Sequence, residues 1–225
     1  MLRLLVIIIL CYCCNAFQQP CNIHNIRRVG GRSGTSLDEM KRPILDQIAT
    51  FVFKLENDRV AASSIEDDKG RNGEPMEWAE ENSFANQFSE MVSSNDIGYK
   101  FKQTVADLVA GEYNREQRGE SITQFISDNP VAMYSFTTCP FCRKAKDYLD
   151  DNNIPYTVIE LDELPGNEGN EIRSELGRKT KRTSVPSIFI GGFYIGGCND
   201  GPGLLPLARE NKLDGLLEKA GVVRR

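Results

Sequence analysis

From residue 119 onward the chain alternates short apolar runs with amphipathic ones, and that alternation restricts it to a sheet with crossover helices. Ile122, Phe125 and Ile126 mark a short helix face, stopped at Asp128-Asn129-Pro130. Val131 to Phe136 reads as a buried strand, Pro140 to Asp151 as a helix, Tyr156 to Leu161 as a second strand and Glu168 to Arg178 as another helix. Ser187 to Ile190 and Phe193 to Ile195 are short strands separated by Gly191-Gly192, a hairpin signal. Leu204 to Ala220 reads as one helix. The order α-β-α-β-α-β-β-α predicts an α/β fold, a mixed sheet with helices on both faces.

The residues before this unit differ in texture. Leu4 to Leu10 is an unbroken apolar run after Arg3, extended by Cys11 to Cys14 and followed by the small residue Ala16. It is shorter than the roughly 20 apolar residues a bilayer span needs, and it has the anatomy of a signal peptide. Phe17 to Leu37 has no acid, three arginines and several Ser, Thr and Gly, the composition of a transit peptide. Together, residues 1–37 resemble the bipartite presequence of proteins sent to secondary plastids, with Asn15-Ala16-Phe17 at the junction. A simple signal peptide, and hence an ER or secreted protein, is the alternative. Residues 38–118 read as a small helical region. Met40, Ile44, Ile48, Val52 and Leu55 mark one helix, Trp78, Phe84, Phe88 and Met91 a second, and Ile97, Phe101, Val105 and Leu108 a third ending near Gly111. Ser63 to Pro75 reads as a loop, and the polar stretch Asn114 to Gly119 as a linker to the unit at 119–225.

Charge and cysteine usage narrow the chemistry. Without the four arginines of the first 37 residues, 23 of the 27 basic residues remain against 32 acids, a net charge of −9. That argues against nucleic acid or an anionic membrane as a partner of the mature chain. Of seven cysteines, Cys11, Cys13, Cys14 and Cys21 fall in the presequence, and Cys139, Cys142 and Cys198 remain. An odd set with two members close together suits catalysis better than a disulfide scaffold. The single histidine, His24, also falls in the presequence, so no Cys-His nucleophilic pair or histidine-bearing zinc site is available to the mature chain.

Cys139-Pro140-Phe141-Cys142 sits between a strand and a helix, the context in which C-x-x-C reads as a redox motif. A helix N-terminus offers free N–H groups and partial positive charge to a thiolate, and Arg143, Lys144 and Lys146 stand close in sequence. Cys139, at the strand end, is expected to be exposed and to attack. Cys142, one turn into the helix, is expected to be more buried and to resolve. Zinc would need four ligands, which three cysteines do not supply. A purely structural bridge across so short a loop removes little chain entropy. Cys198 on its own reads as an ordinary buried thiol.

The segment Tyr134-Ser135-Phe136-Thr137-Thr138-Cys139-Pro140-Phe141-Cys142 resembles the active-site segment of dithiol glutaredoxins. Thr183-Ser184-Val185-Pro186 resembles that family's T-V-P motif, with Ser184 in place of threonine, and Gly196-Gly197-Cys198-Asn199-Asp200 its glycine-glycine-x-aspartate motif. The resemblance covers residues 119–223 and implies a thioredoxin-like fold with glutathione as cosubstrate. It implies a cis bond before Pro186 that aims the Val185 backbone at glutathione, flanked by Thr138, Phe141 and Ser184. Gly197, Cys198, Asn199 and Asp200 would meet the glutamyl end. Phe136 stands where the family usually has a basic residue for the glycyl carboxylate, and Arg178 or Arg182 would take that role; a solvated basic run is the plainer reading of both.

The implied activity is glutathione-dependent thiol–disulfide exchange on glutathionylated or disulfide-bonded client proteins, by a monomer needing no metal. A [2Fe–2S] carrier built from two chains is one alternative, which Pro140 disfavours because such members usually lack it. A secretory-pathway disulfide oxidoreductase is the other.

Overall fold

The computed structural model describes residues 65–80, 82–83 and 96–224. The presequence 1–37, the helix expected over Met40 to Leu55 and residues 84–91 of the second expected helix lie outside the described residues. Two short strands come first, β1 (Ile65–Glu66) and β2 (Asn72–Gly73), followed by a single 3-10 turn at Met76–Ala79. Then come α1 (Asp96–Ala110), α2 (Arg115–Asp128), β3 (Val131–Ser135), α3 (Pro140–Asp151), β4 (Thr157–Glu160), α4 (Glu168–Thr180), β5 (Ser187–Ile190), β6 (Phe193–Gly196), α5 (Leu204–Arg209) and α6 (Leu213–Lys219).

The main sheet has the order β4-β3-β5-β6, with β3 parallel to β4 and antiparallel to β5, and β5 antiparallel to β6. This is the expected mixed sheet flanked by helices, a thioredoxin-like arrangement. All five residues of β3 are buried, as an interior strand covered on both faces requires. Met133 pairs with Val158 on one side and with Ile188 on the other. Phe125, Tyr134, Phe189 and Tyr194 form a chain of ring contacts with centroids 5.1, 6.4 and 5.3 Å apart, joining α2 to the sheet. The β5–β6 hairpin turns on Gly191 and Gly192, both at positive φ (57° and 84°), which a two-residue hairpin of this hand demands.

Four expectations need correction. Ser63 to Pro75 is not simply a loop. β1 and β2 pair antiparallel there, around a turn in which the Asp67 carboxylate accepts from the N–H groups of Lys69 and Arg71. The region 38–118 is therefore not purely helical. Trp78 lies in the 3-10 turn, which ends at extended Glu80. The supposed linker at Asn114–Gly119 is the start of α2: the Asn114 side chain caps it by accepting from the Gln117 N–H, and Arg118 bridges Glu168 and Glu171 of α4. The last helix is broken into α5 and α6, with Asn211 between them at φ 56°, a conformation asparagine tolerates and a helix does not.

Helix α1 is where expected, but the C-terminal part of its expected face is not buried. Leu108 is 55% exposed, whereas Lys102, Ala106 and Ala110 are buried. The helix docks on α4 through polar contacts: Tyr99 Oη donates to the Gly177 carbonyl, Gln103 Nε2 to that of Ser174, and Asp107 pairs with Arg178 at 2.9 Å. Asn167 Nδ2 donates to the carbonyls of Val109 and Ala110, closing the end of α1.

Ile188 is fully buried in β5. Ile188→Ala should lower stability by about 2–5 kcal/mol, read as a smaller midpoint in urea unfolding with an unchanged slope.

Candidate active site

The site is assembled at the end of β3. The chain leaves the sheet at Ser135, whose carbonyl accepts from the Leu161 N–H. The next turn is fixed from outside: Thr137 donates its N–H (3.1 and 3.0 Å) and its hydroxyl (2.5 Å) to the carboxylate of Asp162. Cys139 then serves as N-cap of α3, with Pro140 opening the first turn, where its missing N–H costs nothing. Cys142 lies one turn on, its sulfur accepting from the Phe136 N–H at 3.4 Å. The Cys139 thiol donates toward the Val185 carbonyl at 3.9 Å, and the Val185–Pro186 bond is cis. The second cysteine, the proline loop and the strand end therefore converge on Cys139.

Cys139 is not the exposed thiol that the strand end suggested. It is 1% exposed, and Cys142 is fully buried. The neighbouring cations are engaged elsewhere. The Arg143 guanidinium is bound to Asp67, to the Arg71 carbonyl and to the Glu74 carbonyl. Lys144 reaches the Ala79 carbonyl and Glu80, and Lys146 pairs with Glu160. Burial, then the adjacent Cys142 thiol, then the negative charge of Glu74 push the Cys139 thiol well above its ordinary value of 9.0. Cys198 is also fully buried, and burial pushes its thiol up, with Lys144 pulling weakly the other way.

The residues expected to flank Cys139 divide into two groups. Thr138, Phe141, Ser184, Val185 and Pro186 surround the dithiol. Thr138 offers its carbonyl to the Glu74 N–H, Phe141 packs on the core, and the Ser184 carbonyl accepts from the Ser187 hydroxyl. In the second glycine-containing loop the Gly197 N–H donates to the Asp200 carbonyl at 2.8 Å, and the Gly197 and Cys198 carbonyls accept from Leu204 and Leu205 at the start of α5. Asn199 Nδ2 donates to the Ala79 carbonyl at 2.9 Å. Arg182 and Asp200, assigned to opposite ends of a ligand, are paired with each other. Arg178 does not join the site: its partners are Asp107 of α1 and Ser174 and Glu175 of its own helix.

Sequence patterns gave no sign of several participants. Asp162 holds the turn before Cys139. Arg173 is buried, donates to the Thr183 carbonyl at 2.6 Å and lies 5.8 Å from the centre of the Phe136 ring. Asp67, Gly73, Glu74 and Ala79 reach Arg143, Thr138, Lys144 and Asn199 around the dithiol from 60 or more positions away in sequence, a separation that no local motif encodes.

A family model described as Glutaredoxin matches residues 131–195. A glutaredoxin of Solanum lycopersicum is 39% identical over 102 residues, covering 45% of this chain and 90% of the relative. Glutaredoxin-1 of Rhizophagus irregularis is 42% identical over 81 residues, covering 36% of this chain and 78% of the relative. The crystal structure of a buckwheat glutaredoxin–glutathione complex aligns with a TM-score of 0.44 and 31% identity, over 48% of this chain and 93% of that one.

The raised Cys139 thiol fixes the sign of its pH response. A thiol held neutral by burial gains thiolate only as pH climbs past its ordinary value. Alkylation of Cys139 by iodoacetamide, followed by peptide mass spectrometry, should therefore be slow at neutral pH and still rising above pH 9.

Proposed function

The chain belongs to the glutaredoxin family, and from that premise we propose that residues 119–225 act as a glutathione-dependent thiol–disulfide oxidoreductase working through Cys139 and Cys142. The observation that carries this is the convergence on one sulfur: Cys139 caps α3, Cys142 lies one turn further, and the Val185 carbonyl before cis-Pro186 stands 3.9 Å away. A sulfur at a helix N-terminus beside a main-chain carbonyl suits an extended peptide disulfide.

In this reading the Cys139 thiolate attacks the glutathione sulfur of a mixed disulfide. The S–S bond breaks, the client leaves as a thiolate that takes up a proton, and Cys139 is left glutathionylated. The thiolate of a second glutathione attacks the glutathione sulfur of that bridge, releasing glutathione disulfide and the Cys139 thiolate. On a protein disulfide Cys139 first forms a mixed bridge with the client. Cys142 then attacks Cys139, and the client leaves reduced while the pair becomes a disulfide. What supports glutathione as the ligand is the Val185 main chain beside Cys139 and the Asn199 amide and Lys144 ammonium, which meet at the Ala79 carbonyl; Arg182 and Asp200, now paired with each other, would have to part to meet its charged ends. We also infer that residues 1–37 route the protein to a secondary plastid through the secretory pathway; a fluorescent fusion of residues 1–40 found only in the ER or the medium would refute that.

The roles of the two thiols separate experimentally. Cys139→Ser should lose glutathione-dependent reduction of a glutathione mixed disulfide by at least about a thousandfold, as loss of a covalent nucleophile does. Cys142→Ser should keep that activity and lose reduction of protein disulfides. Equal activity of Cys139→Ser and wild type would end the proposal.

A further inference from the structure

The chain's own residues 65–80 lie against the active-site turn and α3, beside the dithiol. The cover is fastened at four places. At its start, Asp67 meets the guanidinium of Arg143 at 3.0 Å, and the same guanidinium donates to the carbonyls of Arg71 and Glu74. Arg143 follows Cys142 directly in sequence and is 1% exposed. Alongside, Arg71 and Lys69 pair with Asp147 of α3 at 2.9 and 2.7 Å. Over the active-site turn, the Glu74 N–H donates to the Thr138 carbonyl at 3.1 Å. The approach there is so close that a Cβ on Gly73 would stand 2.6 Å from the Thr138 oxygen. At its far end the Ala79 carbonyl takes hydrogen bonds from Asn199 Nδ2 and Lys144 Nζ, and Glu80 pairs with Lys144.

Two consequences follow from this placement. Glu74 and Ala79 are buried, and so is Cys139 beneath them. The strap also uses the Thr138 carbonyl, the Asn199 amide and the Lys144 ammonium, all beside the dithiol. An amide that donates to Ala79 is not available to a ligand, so strap and ligand exclude each other.

We propose that residues 65–80 form an intramolecular strap that closes the dithiol site, and that glutathione or a client disulfide reaches Cys139 only once the strap has left Thr138 and Asn199. This rests on the oxidoreductase reading of the site. Asp67 is the catch, because it is the acidic group that meets the buried Arg143. Gly73 is the point of closest approach, where any side chain would lift the strap from the turn.

The test uses the full chain as wild type, Asp67→Ala and Gly73→Val. The first variant unpairs the catch, and the second wedges the strap from Thr138. Cys139 alkylation by iodoacetamide at neutral pH is measured beside turnover of a glutathione mixed disulfide and hydrogen exchange of the β3 and β5 amides. Both variants should be alkylated at Cys139 at least about tenfold faster than wild type, since reactivity of a shielded group follows the population of its open form. The β3 and β5 amides should exchange as in wild type. Unchanged alkylation in both variants overturns the strap, and so does acceleration matched by faster exchange in the sheet, which would mark general unfolding. Faster alkylation without turnover in any protein retires the oxidoreductase reading and leaves the strap standing. Wild-type turnover with unchanged alkylation does the reverse.

Discussion

A guanidinium buried to 1% exposure must have its charge answered inside the protein, and Arg143, whose two Nη groups find acceptors while its Nε finds none, imposes that condition on everything around the dithiol. Its neighbours on α3 do not meet it. The answer comes from Asp67 and from two carbonyls of the strap. Burial opposes the charge on Asp67, but the Arg71 N–H and guanidinium and the Lys69 N–H outweigh it and hold the carboxyl to about 2. The Asp67 carboxylate is therefore charged from neutral pH down into the acid range, and what its Arg71 and Lys69 contacts contribute to stability is lost only as pH falls from 3.8 toward 2. Removing either partner leaves an uncompensated charge, far costlier than losing a surface pair. Residues 65–80 are thus bound into the folded domain by the helix that carries the active site.

The same arrangement decides a contest of electrostatic effects at Cys139. A helix N-terminus favours a thiolate by roughly 0.3–1 kcal/mol. Full burial moves an ionisable group by up to about 3–5 pKa units, each unit being about 1.4 kcal/mol. With the flanking cations committed to Asp67, Glu80 and Glu160, and with Glu74 adding negative charge, burial wins and the thiol is held neutral. Uncovered, Cys139 would keep the helix terminus and lose most of the opposing penalty. Lys144, whose ammonium now serves the strap, would also be released beside it. Shielding and deactivation are two effects of one contact.

What could be read from sequence divides along the range of the interactions. Strands β3 to β6 and helices α3 and α4 were readable because each carries a local apolar run or stripe, and Gly191-Gly192 announced the hairpin. The resemblance carried by three ordered motifs implied a cis bond before Pro186, which the structure has, but not the contact of the Val185 carbonyl with Cys139. The strap was not. Its strands have two residues each, it carries no apolar alternation, and its fastenings are ion pairs and main-chain hydrogen bonds across some 70 positions. Arg143 looked like a free cation because sequence shows charge and not burial. The face of α1 was misjudged for a related reason: Tyr99, Gln103 and Asp107 dock it through hydrogen bonds, to which apolar periodicity is blind.

A cover made of the protein's own chain changes what the site responds to. If the open form is a fraction of the population, the apparent dissociation constant of any ligand that needs the open form rises by the inverse of that fraction. The dithiol then answers weakly to a ligand that only competes for Thr138 and Asn199. It answers strongly to one that also draws the strap away, because only differential affinity for the two forms can shift them. The first strand and the turn of the cover expose surface for such an encounter: Ile65 is 55% exposed, and the Lys69 side chain is 53% exposed while still pairing with Asp147. An exposed ion pair is held weakly and broken easily, whereas the Arg143–Asp67 contact is not. If the strap opens as proposed, release would begin at the exposed Lys69–Asp147 edge, and the buried pair at the catch would set its cost.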